Sequence, residues 1–221
     1  MAVIIQIIYY FCIVAFGVII LAMITLILTR HGQTDWNVAH KLAGSSNDPT
    51  LTKTGRNQAK LLANKLESFN IDIVYSSRLK RAQQTARIIS KTLDKQVTYL
   101  ANLNERGWGI HQGKLWRPVI NGVDRMPASK RYIYKPRGGE SWQEFEARLL
   151  TVLETITKND EDRTVLIVAH AGVVREMVRI IKNVPKEKHK SYSIENTSLT
   201  VFRLNGGKAE DELVNDIAHL A

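Results

Sequence analysis

At 221 residues, with 44% hydrophobic and 24% charged side chains, the chain is long enough for one large domain with a full core and too apolar for an unfolded tail. Its single cysteine, Cys12, excludes an internal disulfide framework and a cysteine-rich metal site. A formal charge of +10 calls for an anionic partner, whether nucleic acid, an acidic membrane surface or a phosphorylated substrate. Much of that excess sits in one segment, where Arg106, Lys114, Arg117, Arg125, Lys130, Arg131, Lys135 and Arg137 face the single acid Asp124. No nucleic-acid recognition motif accompanies these residues, so nucleic acid is not the expected partner.

From Met1 to Thr29 there is no charged side chain. A run of about 20 apolar residues spans a bilayer core as a helix, and residues 2–22 meet that length. They read as an N-terminal apolar helix and membrane anchor. A cleaved signal peptide is disfavoured because no basic stretch precedes the run. Positive charge lies only downstream, which places the remainder, 23–221, in the cytoplasm. Met23 stands directly before the first strand, so a chain begun there would be a soluble cytoplasmic protein.

Ile24 to Leu28 reads as a strand buried on both faces, ending in Arg30-His31-Gly32 and a long loop to Thr50. Thr52 caps a helix to about Ser68, with Ala59, Leu61, Leu62 and Leu66 on its apolar face. A strand from Ile71 to Tyr75 delivers Ser76-Ser77-Arg78, and Leu79 to Leu93 has helical spacing with Ala82, Ala86, Ile89 and Leu93 inward. A third strand, Val97 to Leu100, precedes Glu105. The stretch from Met126 to Gly139 reads as loop, rich in Pro and Gly, before a helix from Ser141. Arg163 to Ala169 is the most strand-like run and ends in His170; a helix over Val173 to Ile181 and a strand over Ser198 to Leu204 follow. Strands alternating with helices predict an α/β fold with a mostly parallel sheet.

In such a sheet, ligands sit at the carboxyl ends of the strands, where Arg30, His31, Arg78, Glu105 and His170 all fall. Two arginine forks and two histidines suit a phosphoryl dianion. His31, kept neutral if its other ring nitrogen donates to a backbone carbonyl, is the candidate nucleophile for in-line attack. Glu105, in its protonated form, can supply the proton that the departing alkoxide needs, and its carboxylate can then activate water. Arg30, Arg78 and a protonated His170 would hold the equatorial oxygens. This chemistry requires no metal. Taken singly, each of these residues reads as an ordinary ion-pair or strand-end side chain; their joint occurrence carries the argument.

The segments Leu28 to Asn37, Ser77 to Ala86, Glu105 to Gly113, Gly138 to Arg148 and Val168 to Arg175 resemble the histidine phosphatase superfamily of phosphoglycerate mutase-like fold. The resemblance runs from Met23 to the C-terminus. It implies a three-layer fold with helices on both sheet faces, a small cap inserted at about 106–139, a transient phosphohistidine and no cofactor. It also implies a phosphoryl contact at Asn37; Arg106 and Ala171 join it as candidate substrate-binding residues. Ala171-Gly172 after His170, Trp116 in place of a cap lysine, and the short cap resemble the phosphatase branch more than the mutases. The expected activity is hydrolysis of a small phosphomonoester carrying further negative charge. A mutase, or a non-catalytic phosphate-binding module, is the alternative.

Overall fold

The computed structural model describes residues 14–15, 18–19, 23–45, 48–186, 192–205 and 208–221. Its centre is β1, Met23–Arg30, the strand that leads into Arg30-His31-Gly32. The others are β2 (Ile73–Ser77), β3 (Val97–Leu100), β4 (Thr164–Ala169), β5 (Leu199–Asn205) and β6 (Lys208–Asp216). They form one six-stranded sheet in the order β3-β2-β4-β1-β5-β6. β1, β2, β3 and β4 run parallel, and β5 pairs antiparallel to both β1 and β6. The sheet is therefore mostly parallel, as the alternation of elements predicts.

Helices α1 (Lys53–Leu66), α2 (Lys80–Leu93), α5 (Trp142–Asn159) and α6 (Ala171–Ile181) cover its two faces. Side chains alternate along a strand, and β1 shows the result. Ile24, Leu26 and Leu28 pack with Phe145, Leu149 and Val152 of α5 and Val174 and Met177 of α6. Ile27 points the other way, to Leu62 and Leu66 of α1 and Ala86 and Ile89 of α2. Both faces of the strand are dry from Leu26 to Thr29, and up to the terminal Arg30 every side chain in it is apolar or hydroxylic. Thr52 caps α1 by accepting the Gly55 N–H, and Ser141 with Glu144 forms a reciprocal capping box on α5. Leu61, expected on the apolar face of α1, is 36% exposed, whereas Ala63 takes the inward place.

The cap is more helical than its sequence suggests. Within 106–139 lie α3 (Trp116–Asp124) and α4 (Ala128–Ile133), the second in a stretch read as loop. Six residues between Pro127 and Tyr134 are too few to show a helical period, and such a helix depends on packing against α5. β6 was also missed. Its run Lys208-Ala209-Glu210-Asp211-Glu212 lacks alternation, and charge of this kind is common on an edge strand.

The apolar helix expected over residues 1–22 falls mostly outside the described residues. The described ones, Val14–Ala15 and Val18–Ile19, pair as a short antiparallel ribbon. Among the described residues no helix is long and apolar enough to cross a membrane.

Candidate active site

Three adjacent parallel strands end side by side and deliver the site: β1 gives Arg30 and His31, β4 gives His170, and β2 gives Ser77. The two imidazoles meet edge to face, ring centroids 5.2 Å apart, and both are buried. His31 Nδ1 lies 2.8 Å from the Gly32 carbonyl oxygen, which can only accept. Nδ1 therefore carries the hydrogen and the Nε2 lone pair stays available. This is the arrangement the sequence reading required of a nucleophile. Burial, then the positive charges of Arg81 and Arg30, hold the His31 pKa well below its ordinary value, against the bond to Gly32.

The Arg30-His31-Gly32 loop is gripped from several sides. His31 N–H donates to Ala169 O, Gly32 N–H to Thr85 Oγ1, Thr197 N–H to Arg30 O, and Asn196 Nδ2 to His31 O at 2.8 Å. A side chain on Gly32 would place its Cβ 2.3 Å from the Gly55 carbonyl oxygen, so only glycine lets the start of α1 come this close. Arg30 extends to Ile194 O, and its buried Nε has no hydrogen-bond partner among the described residues. Burial lowers the Arg30 pKa to about 10, Glu105 opposing the shift, so the group remains a cation near neutrality. A buried guanidinium N–H beside two imidazoles fits an anionic ligand.

Of the two arginines near the end of β2, the structure buries Arg81 and leaves Arg78, the one the sequence reading selected, at the surface. Arg78 follows β2 but is exposed, donating from its backbone to Asn104 Oδ1 and from Nε to Tyr99 O. Arg81, one helical turn further, is 1% exposed, bonds Gly44 O at 2.8 Å and pairs with Asp48 at 3.7 Å. Its charge acts on both imidazoles. The signal was in the helical period: Arg81, Ala82, Thr85, Ala86 and Ile89 make one buried stripe on α2.

Glu105 sits in the loop after β3. Its Oε1 accepts the Arg106 N–H at 2.9 Å and its Oε2 the Gly172 N–H at 3.0 Å. A cleft of about 460 Å³ lies beside it, lined among others by Ser45, Gly107, Lys135, Glu140 and Arg148. Arg106 is not placed to bind substrate. Its guanidinium is sandwiched between the Trp108 and Trp142 rings, 4.3 and 4.9 Å from their centroids, and donates to Glu140 O and Tyr134 O. It fastens the cap to α5. Asn37 closes a capping box with Thr34, its Oδ1 accepting the Thr34 N–H at 3.0 Å. Ala171 opens α6 directly after His170. In the cap, Lys135 pairs with Glu144 and Arg131 with Asp124, so not all of its positive charge is free.

Comparison with known families matches residues 26–217 to the histidine phosphatase superfamily (branch 1). The chain belongs to that superfamily. It is 30% identical over 204 residues to phosphoserine phosphatase 1 of Hydrogenobacter thermophilus, covering 90% of this chain and 95% of that one. It is 32% identical over 202 residues to phosphoglycerate mutase-like protein 4 of Arabidopsis thaliana, covering 88% and 86%. Among solved structures, a phosphoserine phosphatase variant from Entamoeba histolytica in complex with phosphoserine superposes with a TM-score of 0.78 at 26% identity, covering 90% of this chain and all of that one. This histidine phosphatase is thus a phosphatase enzyme by descent and by fold.

Proposed function

We propose that the chain is a metal-independent phosphomonoesterase that works through a phosphohistidine on His31. The observation that carries this reading is the buried His31–His170 pair, with His31 Nδ1 committed to Gly32 O and Arg30 and Arg81 beside it. His31 Nε2 attacks phosphorus in line with the ester oxygen; the P–N bond forms as the P–O bond breaks. The leaving alkoxide takes a proton from Glu105. The resulting carboxylate removes a proton from water, hydroxide displaces the histidine, and inorganic phosphate leaves. Arg30, Arg81 and His170 hold the equatorial oxygens as charge spreads over them.

Exposed Lys114, Arg117, Lys130 and Arg137 on the cap support a small substrate with a second anionic group, drawn in over a distance that salt shortens. The names of the relatives make phosphoserine the first ester to assay. Turnover should persist in excess EDTA and vanish in His31→Ala with the fold intact. Hydrolysis by His31→Ala at a near-normal rate would overturn the reading, and isomerisation of a phosphoglycerate in place of hydrolysis would favour the mutase.

The uncharged run before Arg30 further supports attachment of the full chain to a bilayer with the catalytic domain in the cytoplasm. Met23 begins β1 at the end of the sheet opposite His31, about 25 Å away at the usual rise of a strand. An anchored domain would then turn its site away from the lipid. Fractionation of the full chain should place it with membranes; a product wholly in the supernatant would refute the anchor.

A further inference from the structure

The second imidazole carries its hydrogen on the nitrogen that faces the protein, and counting donors shows why. Asn104 Oδ1 receives the Arg78 N–H at 3.0 Å, which fixes that atom as the amide oxygen. Ser77 Oγ lies 2.9 Å from the same oxygen, so its one proton is committed there. Ser77 Oγ then accepts the Leu79 N–H at 3.2 Å and faces His170 Nε2 at 2.8 Å. A hydroxyl that has given its only proton can only accept, so Nε2 is the protonated nitrogen of the neutral ring. The lone pair is left on Nδ1, which is buried without a hydrogen-bond partner among the described residues.

The two histidines therefore hold opposite tautomers. His31 needs its bare nitrogen to attack phosphorus. At His170 a bare nitrogen is the wrong group for a phosphoryl oxygen, because two lone pairs repel. The groups around the ring are Arg30 and His31 from β1, Arg81 from α2 and Arg148 from α5, with Ser77 from β2 behind it. The carboxylate of Glu105 is tied to the same helix start, its Oε2 accepting the Gly172 N–H two residues beyond His170. Burial first, then these cations, keep the His170 pKa well below its ordinary value in the free protein.

We infer that the pocket takes a phosphoryl dianion together with one proton, which lodges on His170 Nδ1 and turns it from acceptor to donor, Ser77 and Asn104 acting as positioning residues by reserving Nε2–H. The inference rests on the reading of this pocket as the phosphoryl site. The proton comes from solvent; no bond to phosphorus is made or broken; the imidazolium balances part of the incoming charge. His170 is thus charged only while a phosphoryl group is present, which reconciles its neutrality in the free protein with the protonated role expected of it.

Calorimetric titration of the full chain with inorganic phosphate at pH 8, in two buffers of different ionisation heat, reads the proton directly. Uptake of close to one proton per phosphate is expected, with the dissociation constant rising about tenfold per pH unit above that point. Ser77→Ala should lose most of the uptake, because without an acceptor at Nε2 the hydrogen can move to Nδ1 and donate unaided. His170→Asn, whose side chain does not titrate, should lose it as well and serves if Ser77→Ala does not fold. Glu105→Gln should keep it. Phosphate bound by the wild type without proton uptake, or uptake lost in Glu105→Gln and kept in Ser77→Ala, would overturn the inference while leaving the phosphohistidine reading intact. Failure of phosphate to bind at all would overturn both.

Discussion

At the scale of single residues, the difference between Arg78 and Arg81 is the sharpest outcome. Both stand near the end of β2, yet one lies in water and the other is 1% exposed beside two imidazoles. A buried cation aimed at developing charge contributes far more than a solvated one. Arg81→Ala should therefore lower kcat/KM by about 10²–10³, the range for removal of one such donor, whereas Arg78→Ala should stay within a few-fold. Steady-state kinetics on both variants decide it, and equal losses would return Arg78 to the site. His31, Glu105 and His170 were legible in the sequence because each ends or follows a strand. Arg81 was less so, because it lies inside a helix and only its membership of the buried stripe betrays it. Arg106, a candidate substrate-binding residue by sequence, is instead held by Trp108, two residues on, and by Trp142, far along the chain, which together claim its guanidinium.

At the scale of elements, the beginning of α6 holds the acid. A Cβ on Gly172 would lie 2.3 Å from Glu105 Oε1, so the carboxylate rests against a bare Cα. Gly172→Ala should push Glu105 out of place and cut kcat for esters of poorly acidic alcohols by about tenfold or more, the low end of what a general acid contributes. Aryl esters, whose leaving groups need little proton donation, should be hydrolysed nearly as before. A leaving-group series measured on both proteins checks this, and a uniform loss across the series would point to general distortion. The helices α1, α2, α5 and α6 were legible because each is long enough to show its period, α1 and α5 carrying a capping residue as well, and the main strands because their apolar, β-branched runs stand out between the helices. α4 and β6 were not. The first is six residues long and the second is an acid-rich edge, so packing and pairing decide them more than local pattern does.

At the scale of the whole molecule, two neutral imidazoles buried among cations make stability depend on pH. Both have folded pKa values well below the ordinary 6.5. As pH falls through about 6.5 the unfolded chain takes up protons that the folded chain refuses. Stability should thus be full above that pH and decline below it, toward the depressed folded values. Thermal melts between pH 8 and 5 should show a falling Tm on the acid side, and His170→Asn should shallow the slope; a Tm that rises on acidification would contradict the depressed values. The same arrangement that costs stability in acid leaves His31 unprotonated near neutrality, as the proposed attack on phosphorus requires. The claim on which the account turns is that His31 becomes covalently phosphorylated. Rapid mixing with excess phosphomonoester, quenching in alkali where phosphohistidine survives, and peptide mass analysis test it most directly. A phosphoryl group on the peptide carrying His31, formed and lost at rates that account for turnover, is the predicted result. Full turnover with no phosphorylated His31, or with the group on another residue, would contradict it.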